Sequence, residues 1–241
     1  MLIEYIDHMG DDLAVVNAAR VSFDKESEWL PRIHTGEEKV LSKKDQGLIK
    51  YLSTHGHWSP FAHTAIKVRM KMPIFVARQI MKHTTGIEYN EVSRRYVDSE
   101  PEFYVPDVWR KKADNVKQGS SDEAFTDYFY HEYQEDDSRI PYKFQHGVDR
   151  GLEDVYDDFL ENVTELYKNM LEKGIAPEQA RMVLPQSMYT EVIATGNLYA
   201  WANMYNQRTD SHAQKETRDL VLQLGEIIQP LFPVSWKALC Y

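Results

Sequence analysis

The alternation of apolar and polar positions is clearest over residues 63 to 71. Ile66, Val68 and Met70 point one way and Lys67, Arg69 and Lys71 the other, the period of a half-buried strand. Pro73 ends this strand and suits the first turn of a following helix, Ile74 to about His83, on which Arg78 and Lys82 share a face. Residues 11 to 23 open with the capping aspartates Asp11 and Asp12 and predict a short helix ending before a turn at Ser22. From about Asp45 another helix places Leu48, Ile49 and Leu52 on one face and stops at His55-Gly56. A longer amphipathic stripe carries Leu152, Val155, Tyr156, Phe159, Leu160, Val163, Leu166, Tyr167, Met170 and Leu171, and Gly174 closes it. Pro177 opens a short helix that contains Arg181 and ends before Pro185. Two more helices are predicted, about Asn197 to Gln207 and Ser211 to Gln229, with Asp210 or Ser211 as a cap and Pro230 as the stop.

The remaining stretches lack a period. Residues 24 to 44 read as a charged loop, and 84 to 95 as a polar, irregular functional loop. Phe103-Tyr104-Val105 has the makings of a short strand. Residues 106 to 147 read as a surface insertion, helical in places, with a break at Gly119-Ser120-Ser121. No repeat and no clear linker divides the chain, so a single domain over 1–241 is expected.

Composition narrows the function. Of 241 residues, 42% are hydrophobic and 27% charged, as in ordinary soluble globular proteins. The net charge of −10 makes a general nucleic-acid binder a poor reading, so any phosphate-bearing ligand must meet a local cluster of Arg and Lys. Cys240 is the one cysteine, which excludes a disulfide within the chain and any Cys-based metal set. Its penultimate place is also unlike that of a pocket nucleophile. Residues 1 to 10 carry acidic groups and no long apolar run, and no stretch of about twenty apolar residues follows. A cytoplasmic protein without a membrane span is the expectation. His55, His57 and His63 match no common zinc spacing, so no metal is expected. Tyr128, Tyr130 and Tyr133 read as packing, and no glycine-rich phosphate loop occurs.

Two regions concentrate polar chemistry. The first runs from Arg78 to Tyr96 and offers cations for a phosphate together with an amide and a carboxylate for a base edge. It also fits a solvated charged loop. The second runs from Asn197 to Gln214, where Asn197, Asn203 and Arg208 recur at near-helical intervals. It also fits a capped helix junction with a surface arginine.

Asn90-Glu91-Val92-Ser93-Arg94-Arg95-Tyr96 resembles the second half of the signature of flavin-dependent thymidylate synthases. Further blocks resemble the family in order: Ala18-Ala19-Arg20-Val21-Ser22-Phe23, Gly56-His57-Trp58-Ser59-Pro60-Phe61, Pro73 to Gln79, Glu102-Phe103-Tyr104, Ala180 to Pro185, and Arg208 to Gln214. Only 24 to 44 and 106 to 147 lie outside the resemblance. The chain departs from the pattern at Lys82-His83-Thr84, where the family usually has Arg-His-Arg, and the spacer to Asn90-Glu91 is one residue longer. Tyr199 stands where many members have an Arg.

The resemblance implies an α+β fold, with mixed helices packed on a mainly antiparallel sheet. It implies a methyltransferase that converts dUMP to dTMP with FAD, 5,10-methylenetetrahydrofolate as carbon donor and NADPH as reductant. It also implies a homotetramer with sites shared between chains. Carried onto this sequence, dUMP contacts fall on Gln79, Lys82, Glu91, Ser93, Arg94, Arg95, Arg181 and Arg208, with Arg95 and Arg181 on the phosphate. FAD contacts fall on Ser22, Ser59, Lys82, His83, Thr84, Glu91, Asn197, Tyr199 and Asn203. Arg208 is the catalytic candidate, a fixed positive charge facing the uracil. Ser93 is either a hydrogen-bond donor to the nucleotide or a nucleophile served by His83 or Glu91. Two other readings are a flavin- and folate-dependent methyltransferase acting on uracil in RNA, and a decayed relative that binds nucleotide without turnover.

Overall fold

The computed structural model describes residues 1–31, 39–114, 119–127 and 150–241. Strand β1 (Leu2–Met9) opens the chain. No periodicity marks it, because its apolar residues do not alternate: of Leu2, Tyr5, Ile6 and Met9 none is buried, and only Ile3 enters the core. Helix α1 (Asp12–Arg20) starts where the Asp11 carboxylate accepts the Ala14 amide, as the capping aspartates predict, and passes into a 3₁₀ turn at Val21–Phe23. Two-residue strands β2 (Leu30–Pro31) and β3 (Lys39–Val40) pair within the stretch expected to be loop. Helix α2 (Lys43–Thr54) is capped by Ser42, and Gly56 supplies the left-handed conformation after its end.

Strand β4 (Ala65–Pro73) follows the predicted alternation and buries Ile66, Val68, Met70 and Met72. Helix α3 (Ile74–Ile80) is shorter than expected, so Lys82 and His83 lie beyond its end rather than on its face. The predicted loop after it contains edge strand β5 (Ile87–Glu91). The expected strand at 103 to 105 is reduced to a single antiparallel bridge, Phe103 with Met188. Within the proposed insertion the described residues form a hairpin, β6 (Arg110–Lys112) with β7 (Ser120–Ala124), not a helix. Tyr128, Tyr130 and Tyr133 lie outside the described residues.

Helix α4 (Leu152–Glu172) buries Leu160, Val163 and Tyr167 from the predicted stripe. Helix α5 (Pro177–Ala180) ends just before Arg181, which sits in a following 3₁₀ turn. Strand β8 (Tyr189–Gly196) leads into α6 (Leu198–Arg208), then α7 (Lys215–Leu231) and α8 (Pro233–Cys240). Neither Asp210 nor Ser211 caps α7. Asp210 instead accepts the His212 amide in a local turn, and the helix begins four residues later than Ser211. Pro230 does not end α7 but sits inside its last turn, one residue before the end at Leu231.

The described residues fall into two compact units, one from Met1–Val92 and Tyr189–Tyr241, the other from most of residues 93 to 188. The first holds a four-stranded sheet in the order β1-β4-β8-β5, antiparallel at every pairing. This is the α+β class the resemblance implies. Its core includes Phe61, Trp201, Phe232 and Trp236, all fully buried.

Two buried carboxylates tie distant elements together. Asp12 accepts the amides of Val234 and Ser235, each at 2.8 Å, and so anchors the start of α8 to α1. Asp45 accepts from Ser42 (2.6 Å), Ser27 (2.9 Å) and the guanidinium of Arg20. Burial pushes the Asp45 carboxyl up, but the donors Ser42, Arg20 and Ser27 outweigh it and hold it below the ordinary value. A lowered folded pKa gives stability that is complete above about pH 4 and is lost as pH falls through the folded value. Asp45→Ala strands the Arg20 cation and is expected to cost about 3–5 kcal/mol at neutral pH. In urea titrations the gap between the variant and the wild type should narrow below about pH 4; a gap constant with pH would refute the ion-pair account.

Candidate active site

The site in the first unit is organised around Arg208, the last residue of α6. Its Nε donates to His83 Nε2 at 3.0 Å, and Nη2 donates to the Gln79 carbonyl at 3.0 Å. Both acceptors are neutral. Among the described residues this arginine is therefore fixed without an ion pair, and its charge stays available to an anion. Arg20 provides the contrast, since its charge is cancelled by the buried carboxylate of Asp45.

His83 occupies the turn after α3, and accepting from Arg208 requires a neutral ring with its proton on Nδ1. Its pKa lies below the usual imidazole value, first because burial disfavours the cation and second because Arg208 repels it. The His83 carbonyl accepts from the Tyr89 hydroxyl at 3.0 Å, which also reaches the Ile80 carbonyl at 3.2 Å. Burial pushes the Tyr89 phenol up, so it stays protonated and keeps donating.

Gln79 carries the cluster further. Its amide donates to Gln214 Oε1 at 2.6 Å, and the Gln214 amide donates to the buried Glu216 at 3.0 Å. Gln214 closes the second polar region and a family block but carried no assigned role, and Glu216 lay outside both. The available signal was a pair of polar groups beside the apolar face of α7.

The other candidates of this unit divide by what they touch. Glu91, at the end of β5, accepts from Thr190 at 2.8 Å. Lys82 and Thr84 are exposed. Asn197 is committed to structure: its side-chain oxygen caps α6 through the Ala200 amide at 2.9 Å, and its backbone amide donates to the Gly86 carbonyl at 3.1 Å. Asn203, exposed one turn into α6, accepts from Gln207 at 3.0 Å. Ser22 and Ser59 are exposed on 3₁₀ turns. The structure thus joins Gln79, His83 and Arg208 directly, while Ser22, Ser59, Lys82, Thr84, Tyr199 and Asn203 line the surface.

Ser93, Arg94, Arg95 and Arg181 belong to the second unit. Ser93 Oγ accepts from the Arg95 amide at 3.4 Å and from Arg95 Nε at 3.3 Å. These partners are donors, not a base. The Arg95 guanidinium lies 5.1 Å from the centroid of the exposed Tyr96 ring. Arg94 donates to the carbonyls of Ser99 and Glu100, and Arg181 to that of Glu178 at 3.3 Å. Among the described residues each arginine is oriented by uncharged acceptors, which leaves its charge available to a ligand.

Other features carry no site. His55 and His57 stack on Tyr51, with centroids at 4.0 and 6.0 Å. Among the described residues no group of three or more His, Cys, Asp or Glu could hold a metal ion, and no helix is long and apolar enough to cross a membrane. Burial pushes the Cys240 thiol up to about 12, which leaves it unreactive near neutrality.

Comparison with known proteins adds a family. The sequence model described as "Thymidylate synthase complementing protein" matches residues 4–234. The flavin-dependent thymidylate synthase of Thermosipho africanus is 37% identical over 98% of this chain and 89% of its own length. That of Thermus thermophilus is 35% identical over 98% and 74%. Among solved structures, the UMP/dUMP methylase PolB of Streptomyces cacaoi, bound with 5-Br dUMP, aligns with a TM-score of 0.71 at 31% identity, covering 98% of this chain and 93% of that one.

The His83–Arg208 contact is expected to set an acid limit. The ring's pKa is lower folded than unfolded, so the folded protein resists its protonation and stability falls as pH drops below about 6.5 toward the folded value. Once protonated, Nε2 can only donate and Arg208 is repelled. Turnover should therefore fall on acidification with a titration below about 6.5, and His83→Gln, which retains an acceptor, should lose that step. A pH–rate profile unchanged by the substitution would refute this.

Proposed function

Because this chain belongs to the flavin-dependent thymidylate synthase family, we propose that its Arg208 cluster methylates the uracil of dUMP to give dTMP. The observation that carries the reading is an arginine held by two neutral acceptors, Gln79 O and His83 Nε2, in a chain of net charge −10. A cation spent on structure would be paired with one of the many carboxylates. An uncompensated one is suited to an anionic pyrimidine nucleotide.

The residues present fit a flavin dinucleotide, because the exposed candidates include hydroxyl, amide and aromatic groups at Ser59, Asn203 and Tyr199 and a cation at Lys82. Reduced flavin would supply the hydride, 5,10-methylenetetrahydrofolate the carbon, and NADPH the electrons that reduce the flavin. Arg208 would stabilise the negative charge that grows on the uracil ring when N3 ionises or density moves toward C5. Gln79 and the neutral His83 hold that guanidinium in place so that it need not reorganise. Glu91 and Gln79 offer groups for the base edge, as does Ser93 acting as a hydrogen-bond donor. Lys82, Arg94, Arg95 and Arg181 supply charge for the phosphate, with Arg95 and Arg181 the principal contacts. FAD would be held by Ser22, Ser59, Lys82, His83, Thr84, Glu91, Tyr199 and Asn203, and by the free amide end of Asn197. No enzyme thiolate takes part, in keeping with the raised Cys240 pKa. We further propose a cytoplasmic homotetramer whose sites draw on more than one chain.

The net charge opposes a polynucleotide substrate. The Streptomyces relative is named for UMP as well as dUMP, which makes the ribonucleotide the more relevant alternative. The test is anaerobic turnover with FAD, NADPH, methylenetetrahydrofolate and either nucleotide. Formation of dTMP is expected; product from UMP alone would move the substrate to the ribonucleotide, and no product from either would support a decayed relative. Arg208→Ala should lower kcat at least about 100-fold while the purified protein still binds flavin and stays yellow. Near-normal turnover in that variant would remove Arg208 from the mechanism. Cys240→Ser should leave turnover within about twofold of wild type.

A further inference from the structure

The protein contains five tryptophans, and only Trp58 is left exposed, at 55%. Its ring lies beside another exposed aromatic, Tyr199 at 38%, with centroids 6.3 Å apart and planes at 44°. The tilt leaves the two faces splayed rather than covering each other. The nearby Tyr51–His55 pair differs, since its rings stack at 4.0 Å and satisfy one another.

Both exposed rings stand on rigid backbone. Trp58 precedes the buried Pro60 and Phe61, and its carbonyl accepts the Phe61 amide at 3.1 Å. Tyr199 lies between the buried Leu198 and Ala200 in the first turn of α6, which Asn197 caps. Exposed Ser59 follows Trp58, and exposed Asn203 lies one turn beyond Tyr199 on the same face of α6. Two fixed aromatic faces, with a hydroxyl and an amide on neighbouring positions of the same elements, match a flat heterocycle that stacks and hydrogen-bonds.

We propose that Trp58 and Tyr199 form an aromatic platform for a flat ring of the flavin dinucleotide, so that stacking on this face holds the cofactor. The inference rests on the flavin-dependent reading and adds Trp58, with a defined role for Tyr199, to the binding surface. Tyr199 and Arg208 are nine positions apart, about 14 Å along the helix and about half a turn round it. The platform is thus distinct from the Arg208 cluster and faces another side of α6. Isoalloxazine and adenine share the required chemistry, and the experiment separates them.

Flavin binding is measured by fluorescence titration of the full chain with FAD, and with FMN and ADP added separately. Trp58→Ala and Tyr199→Ala are each expected to raise the Kd for FAD about tenfold, whereas Trp58→Phe and Tyr199→Phe keep it within about threefold. Loss of FMN affinity in the alanine variants assigns the platform to isoalloxazine, and loss of ADP affinity assigns it to adenine. Thermal melting checks that the exposed substitutions leave the fold intact; if the alanine variants melt early, the phenylalanine variants decide, because stacking requires them to bind as wild type does. Alanine variants that bind FAD as tightly as wild type would overturn the platform while leaving the flavin-dependent reading standing. So would phenylalanine variants as weak as the alanine ones. A wild-type protein that binds neither FAD nor FMN would overturn both.

Discussion

The junction between β8 and α6 is the constraint on which the site depends. Gly196 ends the strand where no side chain fits: a Cβ there would come within 2.8 Å of Ile87 and 2.9 Å of the Trp201 indole. That close approach lets Trp201 bury itself completely and donate to the Ile66 carbonyl of β4 at 3.2 Å. Asn197 then caps α6 and takes the Gly86 carbonyl, while the Leu198 amide donates to the buried Thr64 hydroxyl at 3.0 Å. Helix α6 is thereby aimed by three separate strands and turns, and Arg208 at its far end is delivered to Gln79 and His83.

Charge management follows from that placement. An acidic chain could neutralise every arginine, and at Arg20 it does so with a buried carboxylate. Around Arg208 it uses a carbonyl and an imidazole instead. The imidazole is kept neutral partly by the arginine itself, so each group fixes the state of the other. The amide chain from Gln79 through Gln214 to Glu216 satisfies the polar groups behind the cluster, which spares them the cost of unpaired burial. The result is a preorganised cation whose field is not cancelled locally.

The reading from sequence succeeded where one residue's chemistry acts on its neighbours. Asp11 capping α1, Gly56 ending α2, the alternation along β4 and the stripe on α4 are local events, fixed within a few residues. It failed where pairing is remote. Strand β8 does alternate, with Thr190, Val192, Ala194 and Gly196 buried, but it mixes polar and small residues and becomes recognisable only between β4 and β5. Strand β1 buries one side chain along eight residues, and edge strand β5 is polar enough to pass for a loop.

Legible without coordinates were most of the helices, the Asp11 cap of α1, the acidic balance that forces anion binding into a few arginines, and the ordered blocks that carry the family resemblance. These depend on residue type and spacing alone. The fold added that Thr64 and Gly86 hold the start of α6, that Gln214 meets Gln79 behind the site, and that Trp58 meets Tyr199. Each of these is a contact between residues far apart in the chain, and its energy exists only once the sheet has brought them within a few ångströms.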